Sequence, residues 1–277
     1  MWGGEFVKTY EAVLFDKQKY LLGESPFYNA RFKRYSWVDI INGELWTLQG
    51  GVKSHFSLGQ PIGAAIPLSE SDGFVLAAKD GLYIYENDCE RLLYPLDSVF
   101  KSYWRSNDAK MDPYGRIYFG ASVADDDHEA EGALFCYDQG KVFCLQENTK
   151  ISNGMAWSSD RKSFFFSDSL EYAVFKYDYD PETGEISNRR KLFSVENGVP
   201  DGMCIDREDN LWVAIWGGNR IEKRDGETGE KLAEIHVPAK QTSSCNFLDD
   251  GKTLFITSAG VGLDGEFDGC LFTCTIE

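Results

Sequence analysis

Residues 158–169 read SSDRKSFFFSDS, a polar turn centred on Asp160, then three consecutive phenylalanines, then a polar close. A short apolar run bounded by turn signals predicts a buried strand. The same figure returns at 30–40 (ARFKRYSWVDI), 70–80 (ESDGFVLAAKD), 112–122 (DPYGRIYFGAS), 206–216 (DREDNLWVAIW) and 249–259 (DDGKTLFITSA). The first strand residues of the six copies are Tyr35, Phe74, Ile117, Phe164, Leu211 and Leu254, and they stand 39, 43, 47, 47 and 43 residues apart. That spacing is the period of a propeller blade. Within a period further short runs follow, as in VFKYDYD (174–180), a DPETGE turn (180–185) and ISNRRKLF (186–193), so each unit holds about four strands joined by hairpin signals. Long amphipathic helices are absent. Sheets apolar on both faces bury them only against neighbours, which closes the array into a ring. The expected fold is therefore all-β: a six-bladed β-propeller of four-stranded antiparallel blades around a central channel, with 1–277 as a single domain. The segment FVKTYEAVLF (6–15) precedes the first copy and is expected to supply an outer strand that pairs with the last blade.

Composition fits a soluble globular chain, with 43% apolar and 26% charged residues. The N-terminal MWGGEFVKTYEAVLFDKQ has no basic stretch followed by an apolar core, so a cytoplasmic protein is expected. Seven cysteines, an odd number with no CxxC pair, lie mostly in strand-like segments such as ALFCY (133–137) and GMCID (202–206), and are expected as reduced, buried thiols. Lys and Arg number 28 against 45 Asp and Glu, a net charge of −17. Such a field repels phosphate backbones and anionic headgroups, so neither nucleic acid nor a membrane is expected as a partner.

Ten or eleven residues before each first strand residue lies the start of the preceding, innermost strand. The residues there are Glu24, Gly63 and Ala64, Asn107, Asn153, Asp201, and Ser243 and Ser244. Equivalent positions of a ring share one face of the channel, so Glu24, Asn107, Asn153 and Asp201 are expected to converge. Two carboxylates and two amides form an oxygen set suited to one hard divalent ion. His55, His128 and His236 share no phase, which speaks against an imidazole-rich zinc site. The alternative reading is that Asn153-Gly154 and Pro200-Asp201-Gly202 are ordinary turn chemistry. Glu24 weighs against it, because LLGESPF sets a charge among apolar residues where no turn calls for glutamate.

Five ordered motifs carry a resemblance: LLGESPFYNARFKRYSWVDI (21–40), RSNDAKMDPYGRIYFG (105–120), ISNGMAWSSDRKSFFFSDS (151–169), GVPDGMCIDREDNLWVAIWGG (198–218), and SSCNF (243–247) with TLFITSA (253–259). Over roughly residues 20 to 260 the chain resembles the gluconolactonase and regucalcin, or senescence marker protein, family of six-bladed propellers, which includes sugar lactonases. The resemblance implies that Glu24, Asn153 and Asp201 hold one divalent metal ion (calcium, magnesium, manganese, zinc or iron) and that Arg105 and Asn107 bind a small-molecule sugar lactone. It also implies hydrolysis of that lactone; Asp201 is the candidate base, or else a metal ligand that only positions the water. Two departures stand out. Ala109 replaces the family's usual glycine, and Asp125, in the loop DDDHEAE, is the nearest equivalent of a glutamate that contacts substrate.

Other signals carry less. DGEFDG (264–269) imitates the opening of an EF-hand loop but has Glu266 at position 3 and Thr275 at position 12, and is expected to be a hairpin turn. Gly120-Ala121-Ser122-Val123-Ala124 lacks the last glycine of a nucleophile elbow and lies in a strand. Trp104, Trp157, Trp212 and Trp216 are expected to pack between blades. Arg105 either faces the channel mouth or forms a salt bridge between blades. The competing functional class is a non-catalytic propeller that binds a divalent cation or a protein partner.

Overall fold

A computed structural model describes residues 7–125 and 127–277. Among them lie six antiparallel four-stranded units, each beginning with its innermost strand. These inner strands are Gly23–Asn29, Ile62–Pro67, Trp104–Met111, Ser152–Trp157, Val199–Ile205 and Gln241–Phe247. Each touches the next, and the last packs on the first to close the ring. Blades one to four are separate sheets. Blades five and six join in one nine-stranded sheet through a single bridge, Trp216 opposite Gln241.

The core is divided among the joints. Phe164 and Phe166 pack with Tyr118 and Leu134 of the third blade, while Phe165, on the opposite face of the same strand, packs with Leu211 and Val213 of the fifth. The triple phenylalanine of the opening stretch thus serves two joints, because alternate side chains leave opposite faces of a strand. Similar clusters fill the other four joints, such as Val38, Leu45 and Phe74 between the first and second blades. Each fully buried phenylalanine contributes about 1.5–3 kcal/mol relative to an exposed one, so the stability of the ring is spread around its circumference.

The expected outer strand is present as Val13–Asp16, antiparallel to Leu271–Thr275, which completes the sixth blade. The same segment also does something the sequence did not signal. Lys8–Glu11 runs parallel to Lys231–His236, the outer strand of the fifth blade, so the N-terminal chain straps both blades that flank the last joint. Phe6 lies outside the described residues. The DGEFDG segment is a turn whose Asp268 accepts the amides of Gly265 (3.1 Å) and Lys240 (2.9 Å). Trp104, Trp157 and Trp212 are buried in the joints. All seven cysteines are free thiols, five buried, with Cys89 and Cys144 exposed.

Candidate active site

Every inner strand breaks register against its neighbour near the expected position. The breaks fall between Glu24 and Phe27, Ile62 and Ala64, Ser106 and Ala109, Ser152 and Met155, Pro200 and Met203, and Thr242 and Ser244. A bulge releases residues from the ladder and re-aims their side chains. Asn107, Asp108, Asn153 and Asp201 lie inside such breaks and Glu24 borders one. This disposes of the turn reading, since Asn153-Gly154 and Pro200-Asp201-Gly202 lie within strands and neither glycine has a positive φ. The glycines permit close approach instead. A Cβ on Gly154 would stand 2.4 Å from the Asp201 carbonyl oxygen, and one on Gly202 2.2 Å from Ser244 Oγ.

A second device fixes the start of two of these strands. Asp39, ending the second strand of blade one, accepts the amides of Leu21 (2.9 Å) and Leu22 (3.1 Å), just ahead of Glu24. Asp168 does the same in blade four for Lys150 (2.9 Å) and Ile151 (3.1 Å), just ahead of Asn153. A buried carboxylate that accepts two amides holds the approaching loop in one path.

The side chains are held in turn. Arg105 Nη1 donates to Asn107 Oδ1 (2.8 Å) and to the Ser106 carbonyl (2.9 Å), so its guanidinium engages the site and not a carboxylate across a joint. Asn107 Nδ2 donates to the Ser152 carbonyl at 3.0 Å, linking blades three and four. Asn153 Nδ2 donates to Ser169 Oγ (3.2 Å), and Ser169 Oγ donates to the Pro200 carbonyl (2.8 Å), linking blades four and five. Glu24 Oε2 accepts the Ser25 amide at 2.9 Å.

Glu24, Asn153 and Asp201 are buried, 5–6% exposed, and their electrostatics bind them into one site. Burial pushes the Glu24 carboxyl well above the usual range, Asp201 and Asp108 push it further, and the Ser25 amide and Arg105 oppose them. Asp201 is raised by burial and then by Asp108, against Asn153, the Gly202 amide and Arg105. Burial raises Asp108 too, opposed by Lys110 and the Ala109 amide. Burial lowers Arg105 to about 10, against the pull of Glu24 and Asp201. Two buried carboxyls, Glu24 and Asp201, therefore share one guanidinium while a third, Asp108, raises both, and Asp108 Oδ2 has no hydrogen-bond partner.

That imbalance is the test for a cation. Among the described residues no three Asp, Glu, His or Cys side chains gather tightly enough to cage a metal by themselves. Glu24 and Asp201 with the amide oxygen of Asn153 nevertheless form a hard-oxygen donor set, and a divalent charge would relieve the repulsion that now favours protonation. The residues fit such an ion.

Asp125 behaves differently. It is exposed, and its Oδ1 lies 2.7 Å from His128 Nδ1 and 3.0 Å from the Asp127 amide, contacts within its own loop. Ala109 is buried in the joint with the second blade, so its methyl group is accommodated. Asp108 and Ser169 do not stand at the repeated phase of the sequence. The ND pair at 107–108 was the available signal for the first; the second carried none.

Fold and site together define a class of closed β-rings with an acidic, amide-lined channel mouth. Residues 22–260 match the family described as SMP-30/Gluconolactonase/LRE-like region. Regucalcin from Gallus gallus is 35% identical over 263 residues, covering 90% of this chain and 87% of its own. The putative sugar lactone lactonase YvrE of Bacillus subtilis (strain 168) is 31% identical over 256 residues, with the same coverage of 90% and 87%. Among solved structures, a calcium-binding protein, regucalcin, from Agrobacterium tumefaciens str. C58 superimposes with a TM-score of 0.90 at 27% identity, covering 98% of this chain and 95% of that one. The chain belongs to the SMP-30/gluconolactonase/LRE-like family, which takes in regucalcins and sugar lactonases.

Proposed function

We propose that the protein hydrolyses a sugar lactone with one divalent ion held by Glu24, Asn153 and Asp201. The observation that carries this reading is the assembly, from blades one, three, four and five, of the buried Glu24 and Asp201 carboxyls, the Asn107 and Asn153 amides and the half-buried Arg105 guanidinium. When bound, the ion would supply Lewis-acid polarisation of the ester carbonyl. The remaining work falls to the chain. Arg105 donates to the carbonyl or ring oxygen, and Asn107, fixed by Arg105 and Ser152, orients sugar hydroxyls. Asp201 takes a proton from the attacking water, and that proton passes to the departing ring oxygen, so the product is an open hydroxy acid. Asp125 has its Oδ1 engaged by His128 and the Asp127 amide, which leaves Oδ2 for a substrate hydroxyl.

The test is to chelate the purified protein, restore calcium, magnesium, manganese, zinc or iron singly, and follow acid release from a panel of aldonolactones. Metal-dependent acid release is expected, and Asp201→Asn should lose turnover by about 10²–10⁴-fold. Dication binding with no acid release across the panel would replace the lactonase by a cation-binding propeller.

A further inference from the structure

Neighbouring blades are stitched by small polar groups. Ser25 Oγ donates to the Ala65 carbonyl (3.3 Å) between blades one and two, Ser106 Oγ to the Ala78 carbonyl (2.8 Å) between three and two, and Ser169 bridges four and five. Between blades five and six two thiols meet: Cys204 Sγ and Cys245 Sγ stand 3.7 Å apart. Both are buried, and among the described residues no other pair of cysteine sulphurs comes into contact. Both also border a cavity of about 410 Å³ lined by the inner strands, from Ser25 and Asp108 to Lys110, Trp157, Ile205 and Asn246.

A disulfide needs a sulphur separation of about 2.05 Å, so the pair lacks about 1.7 Å of approach. The backbones are already close, since a Cβ on Gly202 would stand 3.0 Å from the Ser243 carbonyl oxygen, each two residues from one cysteine. Closing the gap therefore asks for side-chain rotation more than for strand movement. Cys245 has one restraint to release, its Sγ donating to the Trp212 carbonyl at 3.3 Å.

We propose that Cys204 and Cys245 are a reversible dithiol–disulfide site on the wall of this cavity, oxidised by a small hydroperoxide that enters it. Cys204, as the thiolate, attacks a peroxide oxygen, the O–O bond breaks, and water or an alcohol leaves, giving a sulfenic acid; Cys245, whose thiol burial keeps protonated, is the second thiol. The second thiol then displaces the hydroxyl as water and the S–S bond forms. Two electrons pass from the cysteine pair to the peroxide, and both thiol protons end in the departing oxygen products. A dithiol reductant reverses the step by exchange. This site is independent of the lactonase reading, because its chemistry uses none of Glu24, Asn107, Asn153 or Asp201.

The experiment uses full-length protein with the two exposed thiols removed, Cys89→Ser and Cys144→Ser, treated with hydrogen peroxide and followed by intact mass. The expected result is a loss of two hydrogen masses, restored by dithiothreitol, with one cross-linked peptide pair mapping to Cys204 and Cys245. Adding Cys204→Ser should abolish the loss. Peptide mapping of the unmutated protein gives the same answer should that variant fail to fold. Oxygen addition to either sulphur without a cross-link, a cross-link between other cysteines, or no reaction in folded protein would each overturn the proposal.

Discussion

Ser169 shows how much a single hydroxyl can hold. It accepts from Asn153 Nδ2 and donates to the Pro200 carbonyl, so it keeps the amide nitrogen of Asn153 occupied and ties the strand bearing Asp201 to the fourth blade. Partners of this kind typically matter by 10- to 100-fold in metal affinity. Ser169→Ala should weaken dication binding by about that factor in calorimetric titration, with the fold retained; an unchanged affinity would show that Asn153 needs no such support. Glu24, Asn107, Asn153 and Asp201 were legible because each is the polar residue at one phase of a repeat. Ser169 was not, since it opens a one-turn 3-10 helix, Ser169–Glu171, that the repeat does not contain. Asp108 was hidden by geometry, because strict alternation puts residues 107 and 108 on opposite faces and only the bulge releases both from the ladder.

Among the elements, the second strands made the fold readable. Runs such as Phe164–Phe166 are buried on both faces, so their apolar character is continuous and each is preceded by its own turn. The parallel strand Lys8–Glu11 offered no such mark: it is mostly exposed, and its partner begins at Lys231. The two N-terminal strands should accordingly differ in weight. Val13–Asp16 completes a blade and brings Phe15 against Tyr35 and Phe255, at ring-centroid distances of 4.9 and 5.2 Å. Truncation after Glu11 should cost about 1–2 kcal/mol from its few exposed ladder bonds, and truncation after Asp16 roughly twice that or more, with Phe15 lost as well. Urea unfolding of the two truncated chains measures the difference; equal midpoints would mean that Val13–Asp16 does not close the ring.

For the molecule as a whole, the candidate cation site joins distant parts of one ring, since Glu24, Asn153 and Asp201 come from blades one, four and five. Their raised carboxyls set a sign. In metal-free protein the native state keeps protons on Glu24, Asp108 and Asp201 that the unfolded chain releases above about pH 4, so these groups cost stability as pH rises from there through their raised native range. A dication displaces those protons and removes the penalty. The rise in Tm on adding the metal should therefore be small at pH 5 and larger at pH 8 by scanning calorimetry, and an equal rise at both would contradict the assignment of these ligands. The seam in the sixth blade carries a mechanical corollary. Val13 lies opposite Thr273 and Asp16 opposite Leu271, so the leading end of Val13–Asp16 and the trailing end of Leu271–Thr275 leave the sheet on the same side. Tension between the two termini, once Lys8–Glu11 has peeled away, parts those pairs one after another like a zipper instead of loading them together in shear, which leaves a ring well closed in solution soft to a pull along its own ends.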